Sequence, residues 1–175
     1  RQQQRGTVAM SDTAADAESR SDIVCAAVIG GLLLGYGALV VICSVNIPYL
    51  DDFDAILRFM NAYAAADDVT DRVSLVFSSH YDHRIVFFFF SSLAVYYLGG
   101  SVNFKALILI GNAALAGTMG VLYAGWAPAA PKRHTVCWFL PAAFMLLQPQ
   151  YHETIFWGMA ALQNIPVLFF SCAAL

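Results

Sequence analysis

Between Ile23 and Cys43 the chain runs without a single charged residue and carries Gly30, Gly31, Gly35 and Gly37. About 20 apolar residues in helical form match the roughly 30 Å hydrocarbon layer of a bilayer, so this run predicts a spanning helix. Its glycines predict close packing against neighbouring helices. A cleaved signal peptide is the competing reading. The long polar leader, the length of the run and the lack of an A-x-A site after it favour an uncleaved span.

The rest of the chain extends the argument. Of 175 residues, 59% are apolar and 12% charged, where a soluble domain carries roughly 25% charged residues; mean hydropathy is +0.64. So short a chain cannot bury that much apolar surface in its own core, and lipid is the expected solvent. The net charge of −3 argues against nucleic acid, which needs a basic face. Cys25, Cys43, Cys137 and Cys172 all sit in apolar runs without metal-ligand spacing, so they read as small buried hydrophobes.

Residues 1–22 are polar and read as a disordered leader. The chain opens on Arg1, making Met10 the expected true start, and it stops at Leu175 inside an apolar run; an amino-terminal fragment of a longer protein is expected. After the first span, residues 45–84 form a polar loop with Asp51, Asp52, Asp54, Asp67, Asp68, Asp71 and Asp82 against Arg58, Arg72 and Arg84. Within it, Ala55 to Ala66 has helical periodicity. Ile56, Phe59, Met60 and Tyr63 share a face, with Arg58 and Asn61 away from it, which predicts a helix lying on the membrane surface. Thr70 is the expected N-cap of a second short helix running to Ser79.

Further spans are predicted at 104–126, 135–147 and 155–175. The aromatic run 85–98, closed by Gly99 and Gly100, is short for a crossing and reads as an interfacial, re-entrant or short spanning helix. If it spans, the Lys132-Arg133 loop lies opposite the amino terminus. If it does not, that loop is cytoplasmic, as the positive-inside rule prefers, and Tyr151-His152-Glu153 emerges on the same face as the acidic loop. The second topology is favoured. The fold class is therefore all-α: a multi-pass transmembrane bundle with extracytoplasmic juxtamembrane helices.

Three polar constellations stand out. Asp51-Asp52-Phe53-Asp54, just beyond the first span, offers a general base or ligands for a divalent cation; capping of the helix near Ala55 explains one of these carboxylates equally well. In His80-Tyr81-Asp82-His83-Arg84, Arg84 beside histidines suits phosphate. His80, Asp82 and His83 as metal ligands, or Arg84 snorkelling to headgroups, are the alternatives. Gln148 to Glu153 leads into Phe156-Trp157-Gly158. His152-Glu153 lacks the second histidine of a zincin, and Tyr151 and Trp157 fit an aromatic belt. Asn112, Gln163 and Asn164, inside apolar stretches, read as interhelical hydrogen-bonding groups.

In this order, a first span, an Asp-Asp in an acidic loop, surface helices, a His/Arg cluster and short later spans resemble the GT-C superfamily. Its members are multi-pass glycosyltransferases that draw sugars from polyprenyl-phosphate carriers, such as protein mannosyltransferases and aminoarabinose transferases. The closer resemblance is to bacterial membrane proteins of that type with a His-Asn-Glu-His-Arg-like motif and a later Pro-Ala-Gln-x-Glu-Asn-x-x-x-Gly-like segment. Here they read His80-Tyr81-Asp82-His83-Arg84-Ile85 and Pro149-Gln150-Tyr151-His152-Glu153-Thr154-Ile155-Phe156-Trp157-Gly158. Tyr81, Asp82 and Thr154 depart from the pattern.

The resemblance, covering about residues 23–175, implies a bacterial inner-membrane protein with a cytoplasmic amino terminus. It implies an inverting transfer of a hexosyl or pentosyl group from a polyprenyl-phosphate-linked sugar to an extracytoplasmic glycan, lipid or protein. Asp51 or Asp52 would be the general base. His80, His83 and Arg84 would hold the donor phosphate, and Asp54, Asp82, His152 and Glu153 would line the site. A transporter or flippase subunit, or a non-catalytic membrane protein, are the competing functions.

Overall fold

A computed structural model describes the backbone of residues 2–80, 83–131 and 134–175, and side chains from residue 20 onward. Tyr81, Asp82, Lys132 and Arg133, which figured in the motif and topology expectations, lie outside the described residues. The chain is predominantly helical. Helix α1 spans Gln2–Cys43. A π-helical turn, Phe53–Arg58, runs into α2 (Phe59–Ala65), followed by α3 (Val69–Val76). Two-residue strands β1 (Ser79–His80) and β2 (His83–Arg84) pair antiparallel, with Ser79 opposite Arg84 and His80 opposite His83. The remaining helices are α4 (Val86–Gly99), α5 (Phe104–Trp126), α6 (Thr135–Leu146), α7 (His152–Ile155) and α8 (Gly158–Ala173).

Residues 20–43 and 104–126 are long and apolar enough to cross a membrane. Only 11% of the first apolar window is buried within the fold, against 39% of the second. Ile23, Leu34 and Ile42 of α1 are 64–78% exposed. That surface has no protein cover.

Several boundaries follow from local chemistry. Asn103 caps α5, its side chain accepting from the Ala106 N–H at 3.0 Å. Gly100, at φ +73°, closes α4 in the left-handed conformation that only glycine adopts without strain. Helix α3 starts one residue before the expected Thr70 because Asp68 takes the cap, accepting from the Asp71 N–H at 2.7 Å. Helix α1 takes in the leader from Gln2 onward; from Thr7 to Ser21 it contains neither glycine nor proline to stop a helix.

Helix α5 lies between two apolar cores. One, beside the polar loop, contains Ile56, Phe59, Val76, Phe88, Phe89, Leu107 and Leu162. The other joins α1, α6 and α8 through Tyr36, Val40, Ile108, Phe139, Ala143 and Ile165. The amphipathic face of the 55–66 segment is thus real, but its cover is α4: Ile56 is fully buried, and the Phe59 ring stacks on Phe89 with centroids 4.1 Å apart. Against α8, α5 approaches so closely that a Cβ on Gly111 would sit 2.7 Å from the Ala161 carbonyl carbon. Only glycine permits that contact.

Polar bonds set which ends meet. The Tyr36 hydroxyl donates to Asn112 Oδ1 at 2.5 Å, and Asn112 Nδ2 donates to the carbonyls of Ile108 and Ile155, both at 2.8 Å. This is the interhelical role expected of Asn112. Asn164 differs, donating to Ala160 of its own helix. Asn46, just beyond α1, accepts from the Phe104 N–H at 2.7 Å, and Asp52 accepts from the Met159 N–H at 2.8 Å. The start of α5 and the start of α8 therefore lie with the polar loop.

Near the middle of α1, Cys25 is disulfide-bonded to Cys137, with Cα atoms 5.2 Å apart. Cys43 is exposed and Cys172 half-buried. The expectation of four inert buried cysteines is therefore corrected. The bond links residues 112 apart in sequence, a pairing to which sequence spacing is blind.

Candidate functional site

The three sequence constellations meet different fates. In the acidic triplet, the carboxylates diverge. Asp51 is exposed; half-buried Asp54 pairs with exposed Arg58 one turn on, at 3.1 Å. Asp52 turns inward and is 1% exposed. Its Oδ2 accepts from the Tyr49 N–H at 3.1 Å and its Oδ1 from the Met159 N–H at 2.8 Å. The second bond places a carboxylate at the start of α8, where helix N–H groups lack partners and the helix dipole favours negative charge. Gly158 lies against this carboxylate, where a Cβ would stand 3.4 Å from Asp52 Oδ1. Asp52 was expected as base or cap; it caps, but α8 rather than the helix near Ala55.

Burial holds the Asp52 carboxyl above its ordinary value, opposed by the N–H groups of Tyr49 and Met159; neighbouring Asp51 adds to the rise. The buried indole N–H of Trp157 forms no hydrogen bond of good geometry, though its dipole still favours the charged carboxylate. Because the folded chain holds this proton more tightly than the unfolded chain, the associated stability is full below the unfolded value of about 3.9 and is lost as pH rises through the folded value. Thermal melts from about pH 4 upward are expected to show a decline in Tm for the parent that Asp52→Asn lacks. Parallel curves for the two proteins would remove the assignment.

The second constellation forms the β1–β2 hairpin, which places its residues on two different cavities. On one side His80 shares a cavity of about 350 Å³ with Asp54, Arg58, Ser78 and Ser79. On the other, His83 and Arg84 line a groove of about 380 Å³ together with Gln163 and Asn164 of α8. The remaining wall of this groove is apolar: Ile85, Phe87, Phe88, Leu162, Val167 and Phe170. Phe87 and Phe170 meet edge to face with centroids 5.4 Å apart. The groove thus combines cationic and amide groups with aromatic and aliphatic ones.

The third constellation splits: Trp157 and Gly158 lie against Asp52, with the Tyr49 and Trp157 ring centroids 6.0 Å apart, while its polar residues line neither cavity. His152 and Glu153 open α7 as exposed residues, and Gln148 Nε2 donates to the Tyr151 hydroxyl at 3.0 Å. Sequence reasoning assigned Gln163 and Asn164 to helix packing and missed their place on the groove. The one signal available was two adjacent amides inside an apolar run.

The divalent-cation expectation for the acidic loop fares differently again. Among the described residues, the group of three or more metal-type donors whose ligand atoms lie within 4.8 Å of one another is Asp22, His134 and Cys137, not the Asp51 triplet. Comparison with known proteins finds no matching family, no matching curated protein and no matching solved structure.

Proposed function

We propose that the chain is part of a multi-pass membrane glycosyltransferase of GT-C type, taking its sugar from a polyprenyl-phosphate carrier. The observation that carries this reading is the Arg84 groove, lined by His83, Arg84, Gln163 and Asn164 together with Phe87, Val167 and Phe170. A guanidinium is suited to bidentate phosphate recognition, and the adjoining apolar wall suits a prenyl chain. In this reading α1 and α5 cross the bilayer, and α6 and α8 cross as helices of 12 and 16 residues, shorter than the expected spans, while α4 does not cross. The starts of α5 and α8 beside the polar loop support that topology; the positive-inside preference for the Lys132-Arg133 loop then makes the polar loop extracytoplasmic and the amino terminus cytoplasmic.

The chemistry follows. The acceptor hydroxyl gives its proton to a loop carboxylate, and its oxygen bonds the anomeric carbon from the face opposite the phosphate. The carbon–oxygen bond to phosphate breaks, its electron pair leaves on the phosphate oxygen, and configuration inverts. Arg84 and His83 stabilise the charge that grows on that phosphate. Of the two adjacent carboxylates, Asp51 is the base, because it is exposed while both oxygens of Asp52 are occupied by backbone N–H groups.

The test is photolabelling of the full chain in nanodiscs with a photoreactive prenyl phosphate. Label is expected on α4 and α8 along the groove. Arg84→Ala is expected to weaken labelling roughly 10- to 100-fold, as loss of a charge-assisted bond implies. Label spread evenly over α1 and α5, untouched by Arg84→Ala, would refute the donor site. Groove labelling in a full-length protein that moves the lipid across the bilayer without transferring sugar would instead make it a flippase.

A further inference from the structure

At the end of the molecule away from the polar loop, two pairs of metal-binding side chains face each other. Asp22 and Cys25 stand three residues apart on α1, and His134 and Cys137 three residues apart at the start of α6. Such spacing puts Asp22 and Cys25 on one helix face, while His134, the N-cap of α6, lies beside Cys137 in its first turn. The two sulfurs are bonded to each other, and one ligand atom each from Asp22, His134 and Cys137 lie within 4.8 Å. All four residues are half-buried.

The surroundings bind this group together. Ser21 Oγ and His134 Nδ1 are hydrogen-bonded at 2.6 Å, Cys137 Sγ lies 3.3 Å from the Ser21 carbonyl oxygen, and the Cys137 N–H donates to Asp22 Oδ1 at 3.4 Å. His134 holds a left-handed φ of +58°, uncommon for a residue other than glycine.

We propose that the dithiol form of this cluster binds one zinc-class ion through Cys25, Cys137, His134 and Asp22, and that the disulfide is its oxidised, metal-free form. Two thiolates, one imidazole nitrogen and one carboxylate oxygen make a four-donor tetrahedral set, and the thiolates select zinc or cobalt over magnesium or calcium. Cys137 lies in the first turn of α6, where the helix N-terminus favours thiolate.

The interconversion balances with a dithiol reductant. It supplies two electrons and two protons, becoming a disulfide itself, and converts the Cys25–Cys137 bond to two thiols. Each thiol then releases its proton as the ion binds. The inference stands on this geometry and does not need the transferase reading. If that reading's orientation holds, this end faces the reducing cytoplasm, where paired cysteines more often hold metal than each other.

The experiment uses the full chain in detergent with Cys43→Ser and Cys172→Ser, reduced with a phosphine and then freed of it, and titrated with Co²⁺ alone. The expected result is one Co²⁺ per chain, with thiolate-to-cobalt charge transfer and tetrahedral visible bands, both abolished by Zn²⁺ and absent from the oxidised sample. Cys137→Ser should remove the charge-transfer band, and His134→Ala should weaken binding at least tenfold while leaving the oxidised chain's helicity unchanged. Weak octahedral spectra, or His134→Ala and Asp22→Ala both binding like the parent, would overturn the proposal. So would a chain that loses its helices on reduction and does not regain them with Co²⁺.

Discussion

Asp51→Asn is expected to slow sugar transfer by about 10²- to 10⁴-fold, the usual worth of a positioned general base, with no change in Tm. Asp51 is exposed, and no hydrogen bond or ion pair from its side chain is present among the described contacts. Removing its charge therefore leaves no buried partner stranded, and surface changes of this kind usually move stability by less than about 0.5 kcal/mol. The measurement is transfer from a polyprenyl-phosphate sugar by the full-length protein, paired with a thermal melt. Full activity in Asp51→Asn with inactivity in Asp54→Asn would move the base to the cavity that Asp54 shares with His80.

One residue further on, the expected outcome reverses. Asp52→Ala is expected to destabilise the fold by about 2–4 kcal/mol, a drop in Tm of roughly 5–15 °C. The substitution strips an acceptor from the Tyr49 and Met159 N–H groups at once, and each buried donor left unpaired costs about 1–3 kcal/mol. Asp52→Asn should cost less, because its amide oxygen still accepts one of the two. A melt of Asp52→Ala indistinguishable from the parent would show that water satisfies both donors.

These neighbours illustrate what the sequence can and cannot disclose. Apolar periodicity and capping residues are local properties, so α5 was legible from Phe104 to Trp126, as was the glycine stop after α4. The apolar face of Ile56 and Phe59 was legible too, but not its cover, because nothing near Phe59 in sequence names Phe89 as its partner. Asp52 and Asp51 look alike on the chain. What separates them is the N–H of Met159, 107 residues away. The cysteines failed for the same reason: Cys25 meets Cys137 across a comparable gap. The His83–Arg84 pair was visible as chemistry, whereas its union with Gln163 and Asn164 depends on how α8 lies beside the hairpin.

The Asn112 node has a bearing on biogenesis. One of its amide's partners, Tyr36, precedes it along the chain; another, the Ile155 carbonyl, is made last. If synthesis proceeds through a bilayer, α5 enters the lipid with an amide group only partly satisfied, and it stays so until residues 152–155 have followed. An amide exposed to hydrocarbon holds a nascent helix near water or near its neighbours. The residue that joins α5 to Tyr36 and Ile155 would then also favour an order of arrival, its amide becoming fully bonded once the segment ending at Ile155 has emerged.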